Sequence, residues 1–523
     1  MRKPLCIVCK LAGIVLLFCV NVLHAQQPKT IWSEEDEISR KERVIALVGR
    51  DSTGYYVYSD QFGKRGKYQL TKLDKSGMKE VYSINNTLPK ISAVDPEFLD
   101  LIVWKERLLL ITTAYEKDQS SLKAYGTFLN AFGEVVDFPV LLDEIKDIRY
   151  KSESTFQIEL SPDSSLMMIQ HDSSTLRKSS ESFSFKVYDT SLELQWQKDL
   201  ELPFQNDVLA IESFLVANNG HVYMMSGTDK PKKERNVTNL ASKQKKYLLL
   251  SYDPELNKVK EYDVSLRDKW IISATFDLAP NGDVVMGGFY SNDKFFSIAG
   301  TFFFKISGTD KKVEASGLMA FDRHFLKQFM NEKRVERGRE LNNFYFDHFL
   351  VREDGSATLV AEQYYVIERY LQDPSTGRYQ EQNYYYYNDL IVVDVNPDAT
   401  INWAIKVPKK QVSINDNGPY SSYALAWDEQ HVHIVFNDDS DNTAIFNSNP
   451  DAEMQTMSNI KKSTATWVAV GRDGSLSRST LFNAKDATTL LRPKIYLGSR
   501  NAELVLYAQY RKKYRFGLIN FDL

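Results

Sequence analysis

The chain has 523 residues, 43% of them hydrophobic, and its net charge at pH 7 is −4. A chain of this size and composition can bury a large core without disulfides or a structural metal. Its balanced charge, with no long run of one sign, excludes the basic domain or stripe that nucleic-acid-binding proteins normally carry.

The N-terminus has the order of a secretory signal peptide. Arg2 and Lys3 precede a short apolar run, which ends in a small residue at Ala25. This order predicts cleavage after Ala25 and export of residues 26–523 as one domain. We therefore expect the protein in the periplasm or at the cell surface.

Two other interpretations of the N-terminus are less favoured. A membrane anchor needs about 20 uninterrupted apolar residues, and Lys10 interrupts this run. A lipoprotein would carry its lipid on Cys19, but the preceding Phe18 is bulky where lipoprotein signals have a small residue. We expect no transmembrane segment and no lipid.

All three cysteines lie in the predicted signal peptide, at positions 6, 9 and 19. The exported chain would therefore contain no disulfide, no thiolate nucleophile and no thiolate metal site.

From residue 31 onward, short β-branched and aromatic runs alternate with turn signals such as "SPDS", "APNGD" and "REDGS". Each unit reads as four strands, and such repetition predicts an all-β fold, a β-propeller with eight four-stranded blades. Seven blades is the alternative. The first strands of the eight units are predicted to begin near Val44, Phe98, Phe156, Leu209, Ile272, Tyr345, Tyr423 and Leu491.

The last unit, from residue 490, supplies only three strands. We predict that the segment "KTIWSEE" at 29–35 provides the fourth strand, because a blade shared by both termini leaves no open edge. An ordinary flexible start of the chain is the alternative.

One segment predicts a helix. Phe321, Phe325 and Phe329 recur every four residues and give an apolar stripe. We predict a short helical insertion near 321–341 whose stripe packs against the propeller rather than against a membrane.

The long connections accumulate on one side of the predicted propeller. They join second to third strands, or one unit to the next, and these two kinds of connection share a face. We call this side the long-loop face, and the opposite side the short-turn face. Long loops in a compact domain are usually functional, so the long-loop face is the predicted binding face. Its long segments are 228–245, 320–343, 370–387, 408–419 and 437–462.

A stretch rich in tyrosine, residues 362–395, predicts a hairpin with its tip at the "DPSTG" turn. One interpretation is structural, with tyrosines that pair across the strands. The other is a platform for a ligand or partner, in which at most half of the tyrosines could line one surface. The candidate binding residues are Tyr364, Tyr365, Tyr370, Tyr384, Tyr385, Tyr386 and Tyr387.

The connection "PKKQVSINDNGPYSSY", residues 408–423, is long enough to fold over the long-loop face beside this hairpin. A solvated connector is the alternative. Its candidate contact residues are Lys409, Lys410, Gln411, Asn415 and Asp416.

Motifs for chemistry are scarce. His431 and His433 lie on the same side of a predicted strand, but the sequence shows no third metal ligand at a suitable spacing. Asn437, Asp439 and Asp441 lack the glycine and glutamate of a calcium loop, so a solvated acidic turn is the better interpretation. The sequence also contains no nucleophile elbow, phosphate loop or zinc-protease helix. We predict no metal, no cofactor and no catalytic residue.

The run from "LVAEQYY" to "NDNGPYSSYAL", residues 359–425, resembles a family of uncharacterised secreted bacterial proteins with predicted propeller folds. The resemblance implies export and a propeller, and it implies no activity.

Two functions remain. The favoured one is a non-catalytic scaffold that binds an envelope protein or a glycan through the long-loop face. The alternative is a propeller enzyme that acts on carbohydrate, either a glycosidase or a lyase. Converging carboxylates with shifted pKa values at the central opening would favour the enzyme.

Overall fold

The structure is a computed structural model that describes residues 27–38, 42–61, 66–91, 94–148, 156–172, 180–205, 209–228, 246–266, 268–292, 297–310, 312–372, 377–483 and 489–521. The predicted signal peptide and the tip of the tyrosine hairpin, 373–376, lie outside these residues. In the described part of the chain, no helix has the length and apolar character that crossing a membrane requires.

Antiparallel strands dominate the fold. The N-terminus contributes β1 (Lys29–Trp32) and β2 (Asp36–Glu37). Sheet 1 contains β3 (Glu42–Arg50), β4 (Gly54–Gln61), β5 (Lys67–Asp74) and β6 (Glu80–Thr87). Sheet 2 contains β7 (Glu97–Trp104), β8 (Arg107–Glu116), β9 (Ser121–Leu129) and β10 (Val140–Ile145). Sheet 3 contains β11 (Gln157–Leu160), β12 (Leu166–Asp172), β13 (Ser180–Asp189) and β14 (Leu194–Gln205).

The next sheets follow the same order. Sheet 4 contains β15 (Leu209–Val216), β16 (Val222–Thr228), β17 (Lys246–Asp253) and β18 (Lys258–Val264). Sheet 5 contains β19 (Trp270–Leu278), β20 (Val284–Ser291), β22 (Gly300–Ile306) and β23 (Val313–Ala320). Beside it, β21 (Ser297–Ile298) pairs with β24 (Leu341–Asn342).

The last three sheets are more elaborate. Sheet 6 contains β25 (Phe344–Val351), β26 (Ala357–Gln372), β27 (Tyr379–Val395), β28 (Ile401–Val407) and the added β29 (Gln411–Ile414). Sheet 7 contains β30 (Ala424–Trp427), β31 (His431–Asp439), β32 (Ser463–Gly471) and β33 (Leu476–Asn483). Sheet 8 contains β34 (Leu490–Gly498), β35 (Glu503–Tyr510) and β36 (Lys513–Asn520), together with β1 and β2.

These sheets form a β-propeller, as the sequence predicts. The first strand of every sheet begins within two residues of its predicted start. First strands of neighbouring sheets touch, as β3 does with β7 and β19 with β25, and β34 of sheet 8 touches β3 of sheet 1. The described residues contain eight such sheets; the assignment of each sheet to one blade of a closed ring stays a prediction.

The core lies between neighbouring sheets. Ile111 of sheet 2 packs in one cluster with Met167 of sheet 3, and Val392 of sheet 6 packs with Ile434 of sheet 7. The second strand of each sheet lies between other strands, and all eight residues of β20 are buried. Because apolar burial is the main favourable term in folding, this arrangement explains a stable chain without cysteines in the core.

Both termini contribute to sheet 8. Strand β1 pairs antiparallel with β36, from Lys29 opposite Asn520 to Trp32 opposite Gly517. The Trp32 ring meets Phe482 edge-on at 5.2 Å, and the Arg515 guanidinium lies 4.4 Å from its centroid. The division of the chain into a leader and a single domain stays a prediction.

The predicted helical insertion consists of two short helices, α1 (Arg323–Lys327) and α2 (Glu332–Glu336). The Asp322 carboxylate caps α1 by accepting a hydrogen bond from the Phe325 backbone N–H. The Phe325 ring lies 4.5 Å from Phe321 and 5.1 Å from Phe329, inside a cluster of sheets 5 and 6. The apolar stripe therefore packs against the propeller.

A further helix was not predicted. Helix α3 (Asn442–Ser448) lies in the long segment 437–462 of sheet 7. Its asparagines and serine favour turns over helix interiors, and it is too short to show an apolar stripe.

Candidate functional site

The tyrosine hairpin is the continuation of sheet 6 beyond its neighbouring strands. Strands β26 and β27 have 16 and 17 residues, whereas β25 and β28 have 8 and 7. Strand β25 stops pairing with β26 at Gln363, and the hairpin continues from there to Gln372. The extra nine residues of this arm correspond to about 30 Å of extended chain.

Cross-strand contacts organise the base of the hairpin. Tyr364 lies opposite Tyr387 with ring centroids 4.8 Å apart, and Tyr365 stacks on Tyr386 at 4.7 Å. Neighbouring residues of a strand point to opposite faces, so the two pairs lie on opposite faces of the hairpin. The structural interpretation of the tyrosines is therefore correct for these four residues.

The connection between sheets 6 and 7 supplies a third strand to the hairpin. Strand β29 pairs with β27, from Gln411 opposite Tyr387 to Ile414 opposite Tyr384. The Asn415 side chain then accepts a hydrogen bond from the Asn383 backbone N–H at 2.8 Å. The solvated-connector alternative is wrong at these residues, since the segment stiffens the hairpin.

Two predicted contact residues are not at the surface. The side chain of Lys409 is 0% exposed, and its Nζ lies 2.7 Å from Glu362 Oε1 and 2.9 Å from the Tyr387 carbonyl oxygen. Gln411 is equally buried and donates to the Asn437 carbonyl oxygen at 2.7 Å. The expectation that these residues offer surface contacts is wrong, because the protein itself satisfies their polar groups.

Further along the hairpin, apolar and aromatic side chains reach solvent. Tyr370 is 63% exposed and Tyr379 is 68% exposed, and large apolar side chains are exposed beside them. Alternation places Val366, Tyr370 and Tyr379 on one face, and Ile367, Leu371 and Ile414 on the other. Lys410 is also accessible and forms an ion pair with Glu453 at 2.6 Å.

The propeller fold predicts that the first strands surround a central channel. Strands β7, β19 and β25 are largely half-buried or exposed, whereas all eight residues of β20, a second strand, are buried. The accessible polar side chains of the first strands are therefore expected to face this channel.

A polar cluster lies on two first strands, β25 and β34, and on Tyr423, which directly precedes the first strand β30. We call it the channel mouth; its members are Asp347, His348, Tyr423, Lys494 and Tyr496. The Tyr423 hydroxyl donates to Asp347 Oδ2 at 3.0 Å, and the Tyr496 hydroxyl lies 3.1 Å from His348 Nε2. Asp347 is the extra residue of a β-bulge between Phe346 and His348, which turns its side chain out of the ladder.

Burial raises the pKa of Asp347 to about 6, with a further contribution from the Glu362 carboxylate, and burial lowers the pKa of His348 to about 4. His348 is therefore neutral at neutral pH. Sequence reasoning missed this cluster, although an Asp-His pair inside the aromatic strand "FYFDHFLV" was a usable signal.

The raised pKa of Asp347 predicts a pH effect. The pKa of Asp347 rises from the ordinary 3.8 to about 6 on folding, so between these pH values the folded protein binds the proton more strongly than the unfolded chain does. The free energy of unfolding therefore falls as pH rises through this window. Asp347→Asn should match the wild-type stability near pH 4 and exceed it near pH 7. Urea unfolding across this range measures the difference, and a difference that is independent of pH would contradict the prediction.

Two other carboxylates lie near the opposite, short-turn end of the channel. Burial raises the pKa of Glu159 to about 7, with a further contribution from the charge of Asp277, and burial raises the pKa of Asp277 to about 6. These residues are near the ends of β11 and β19. They are therefore distant from the long loops and from the tyrosine hairpin.

In the structure, Asp428 lies beside the histidine pair as a possible third metal ligand, which the sequence did not show. Ligand atoms of Asp428, His431 and His433 lie within 4.8 Å of one another. However, the Trp467 indole N–H donates to His433 Nδ1 at 3.3 Å, which places the ring proton on Nε2, 3.3 Å from Asp428 Oδ2. Both ring nitrogens of His433 therefore already have partners within the protein, which favours a structural cluster.

Asn437, the first residue of the predicted acidic turn, also has a structural role. The Asn437 side chain is buried and donates to the carbonyl oxygens of Tyr420 and Leu491 at 2.8 and 2.9 Å. Its amide is therefore engaged inside the protein, and it does not face a calcium loop.

Comparisons with known proteins give similarity of fold alone. No family model matches the chain, and no curated protein matches it. The Dos1 propeller is 11% identical, with a TM-score of 0.40 over 93% of this chain and 94% of that one. The quinohemoprotein alcohol dehydrogenase of Comamonas testosteroni is 10% identical, with a TM-score of 0.36 over 92% and 76%. An uncharacterised protein of Listeria monocytogenes EGD-e is 7% identical, with a TM-score of 0.36 over 80% and 92%.

Proposed function

We propose that this protein is an exported, non-catalytic binding propeller that holds a protein or glycan partner through the tyrosine hairpin of its long-loop face. The observation that carries the proposal is the group of exposed aromatic and apolar side chains on a hairpin that projects from a rigid fold. Export is supported by the N-terminal sequence.

A protein is the favoured partner. Among the described residues, no strand pairs with the outer edge of β26 beyond Gln363. An open strand edge offers backbone N–H and C=O groups to an added strand, and alternate side chains supply specificity. Along that edge, the side chains of Val366 and Tyr370 point to one face of the hairpin and the side chain of Ile367 points to the other.

At the long-loop face, the enzyme alternative rests on Asp347, whose raised pKa is typical of an acid–base residue. Its neighbour Glu362 is buried, ion-paired with Lys409, and accepts a hydrogen bond from the Ser422 hydroxyl at 2.9 Å. These contacts occupy the second carboxylate that a glycosidase mechanism would need. We therefore favour binding over catalysis.

The experiment is retention of the envelope partner on immobilised protein comprising residues 26–523. The variant Tyr370→Ser/Leu371→Ser/Tyr379→Ser should fold normally and lose at least about tenfold in retention, because a few aromatic residues dominate interface energy. The matched control, Leu256→Ser/Val259→Ser, changes exposed apolar residues of the short-turn side and should retain the partner.

Retention by the hairpin variant, or equal loss in the control, would contradict the proposal. Screening the same proteins on a glycan array distinguishes the two classes of partner. Glycan binding that depends on Tyr370 would show that the partner is a glycan rather than a protein.

A further inference from the structure

The innermost strand of sheet 8 carries an unusually large bulge. Leu491 pairs with Ala508, but the next paired residue is Tyr496, opposite Leu506. Residues 492–495 therefore stand against the single residue Tyr507. Pro493 lies in this bulge and has no N–H for the ladder. Bulges often redirect side chains next to functional sites, and this one carries Arg492 and Lys494.

Neither cation is neutralised by a carboxylate within 4 Å in the described part of the chain. Arg492 donates to Gln509 Oε1 at 2.8 Å and lies 5.5 Å from the Tyr420 ring centroid. Lys494 Nζ donates to the Tyr387 hydroxyl at 2.7 Å and lies 4.3 Å from its ring centroid. By contrast, ion pairs with carboxylates are formed by Arg50, Arg352, Arg472, Arg478 and Arg500.

Lys494 is accessible, although protein groups surround its ammonium. Its side chain is exposed, yet the surrounding protein lowers its pKa by burial, which nearby Lys409 and Arg492 reinforce and Glu362 and Asp416 oppose. A charge of opposite sign is held more strongly beside a partly desolvated cation than beside one in bulk water.

The side chains at the channel mouth indicate which class of ligand could bind there. The two cations favour a ligand with a negative group. The Asp347 carboxylate would repel a second negative group on that ligand and could accept hydrogen bonds from its hydroxyls. The half-buried Tyr420 and Tyr496 add ring faces and hydroxyl groups. A saccharide with one carboxylate combines these features, whereas an acidic peptide brings several charges and few hydroxyls.

We propose that Arg492 and Lys494 form a binding site for the carboxylate of an acidic saccharide at the channel mouth. The inference rests on the proposed function, because it names a ligand for the same face. It needs no contact with the exposed end of the tyrosine hairpin. The hairpin would hold the partner, and the channel mouth would bind a uronic acid of the partner or of the surrounding envelope.

Calorimetric titration of the protein comprising residues 26–523 tests this proposal. The probes are cellobiouronic acid, neutral cellobiose, sodium sulfate and an acidic tetrapeptide. Cellobiouronic acid should bind at least about tenfold more tightly than cellobiose, since one hydrogen bond between charged groups is enough for a difference of that size. Arg492→Gln and Lys494→Gln should each reduce its affinity by about tenfold or more, and high salt should weaken it.

Lys461→Gln is the matched control, because Lys461 is exposed on a long segment of the same face and should leave affinity unchanged. If Arg492→Gln fails to fold, the exposed Lys494→Gln decides the outcome. Absence of binding, equal binding of cellobiose, tighter binding of sulfate or the peptide, or insensitivity to both substitutions would overturn the proposal.

The hairpin triple variant separates the two proposals. It should keep its affinity for cellobiouronic acid while it loses the envelope partner. Failure of saccharide binding in a protein that still retains its partner would overturn the channel-mouth site alone.

Discussion

Replacing Lys409 with methionine is expected to lower the free energy of unfolding by about 3–5 kcal/mol, because it leaves the buried Glu362 carboxylate without its counter-charge. The Lys409 ammonium lies 2.7 Å from that carboxylate and also donates to Gln411 Oε1 at 3.1 Å. It thereby connects the base of the tyrosine hairpin to the connection that braces it. Urea unfolding of the wild type and the variant measures the loss.

Lys410→Met is the matched control for this prediction. Lys410 is the next residue, and its partner Glu453 is 84% exposed, so the ion pair contributes little in water. We expect a change below about 1 kcal/mol. The double variant Lys409→Met/Glu362→Leu should recover part of the loss, since it removes both buried charges. Equal stabilities of Lys409→Met and Lys410→Met would contradict the buried ion pair.

Deleting residues 27–38 is expected to destabilise sheet 8 by at least about 3 kcal/mol, because the packing of a tryptophan and the pairing of two strands are lost together. Strand β1 covers β36, and Trp32 packs against Phe482 and Arg515. Without β1 and β2, the backbone groups of β36 would form an open edge. Differential scanning calorimetry measures the change in melting temperature.

Hydrogen exchange locates the effect of this deletion. Amides of β36 should lose protection, while those of β8 in sheet 2 should keep it, because local opening follows local contacts. An unchanged melting temperature together with unchanged protection of β36 would show that sheet 8 does not depend on the N-terminal strand.

Much of the fold follows from local patterns in the sequence. Alternating β-branched and aromatic residues between turn signals predicted the first strand of each sheet within two residues, from Glu42 to Leu490. Turn chemistry explains this accuracy: at "REDGS" the Asp354 carboxylate accepts from the Ser356 N–H at 2.9 Å, and Gly355 has φ of 79°. Such turns are encoded by neighbouring residues.

The candidate site could be predicted only in part, because burial depends on distant residues. The pattern "YYYYNDL" predicts a strand, but nothing local shows that Tyr387 is covered while Tyr370 is exposed. Lys409 has the sequence context of a loop lysine, and its partner Glu362 lies on the distant strand β26. The bulge with Arg492 and Lys494 is likewise visible only in the register of β34 against β35.

Site-specific photo-crosslinking detects direct contact between the projecting hairpin and the proposed partner. Benzoylphenylalanine would replace Tyr370 on the hairpin, or Leu256, which is 64% exposed on the short-turn side. After irradiation of intact cells, we expect a discrete adduct from position 370 and none of that size from position 256. The same adduct from both positions, or none from position 370 in a folded protein, would contradict it.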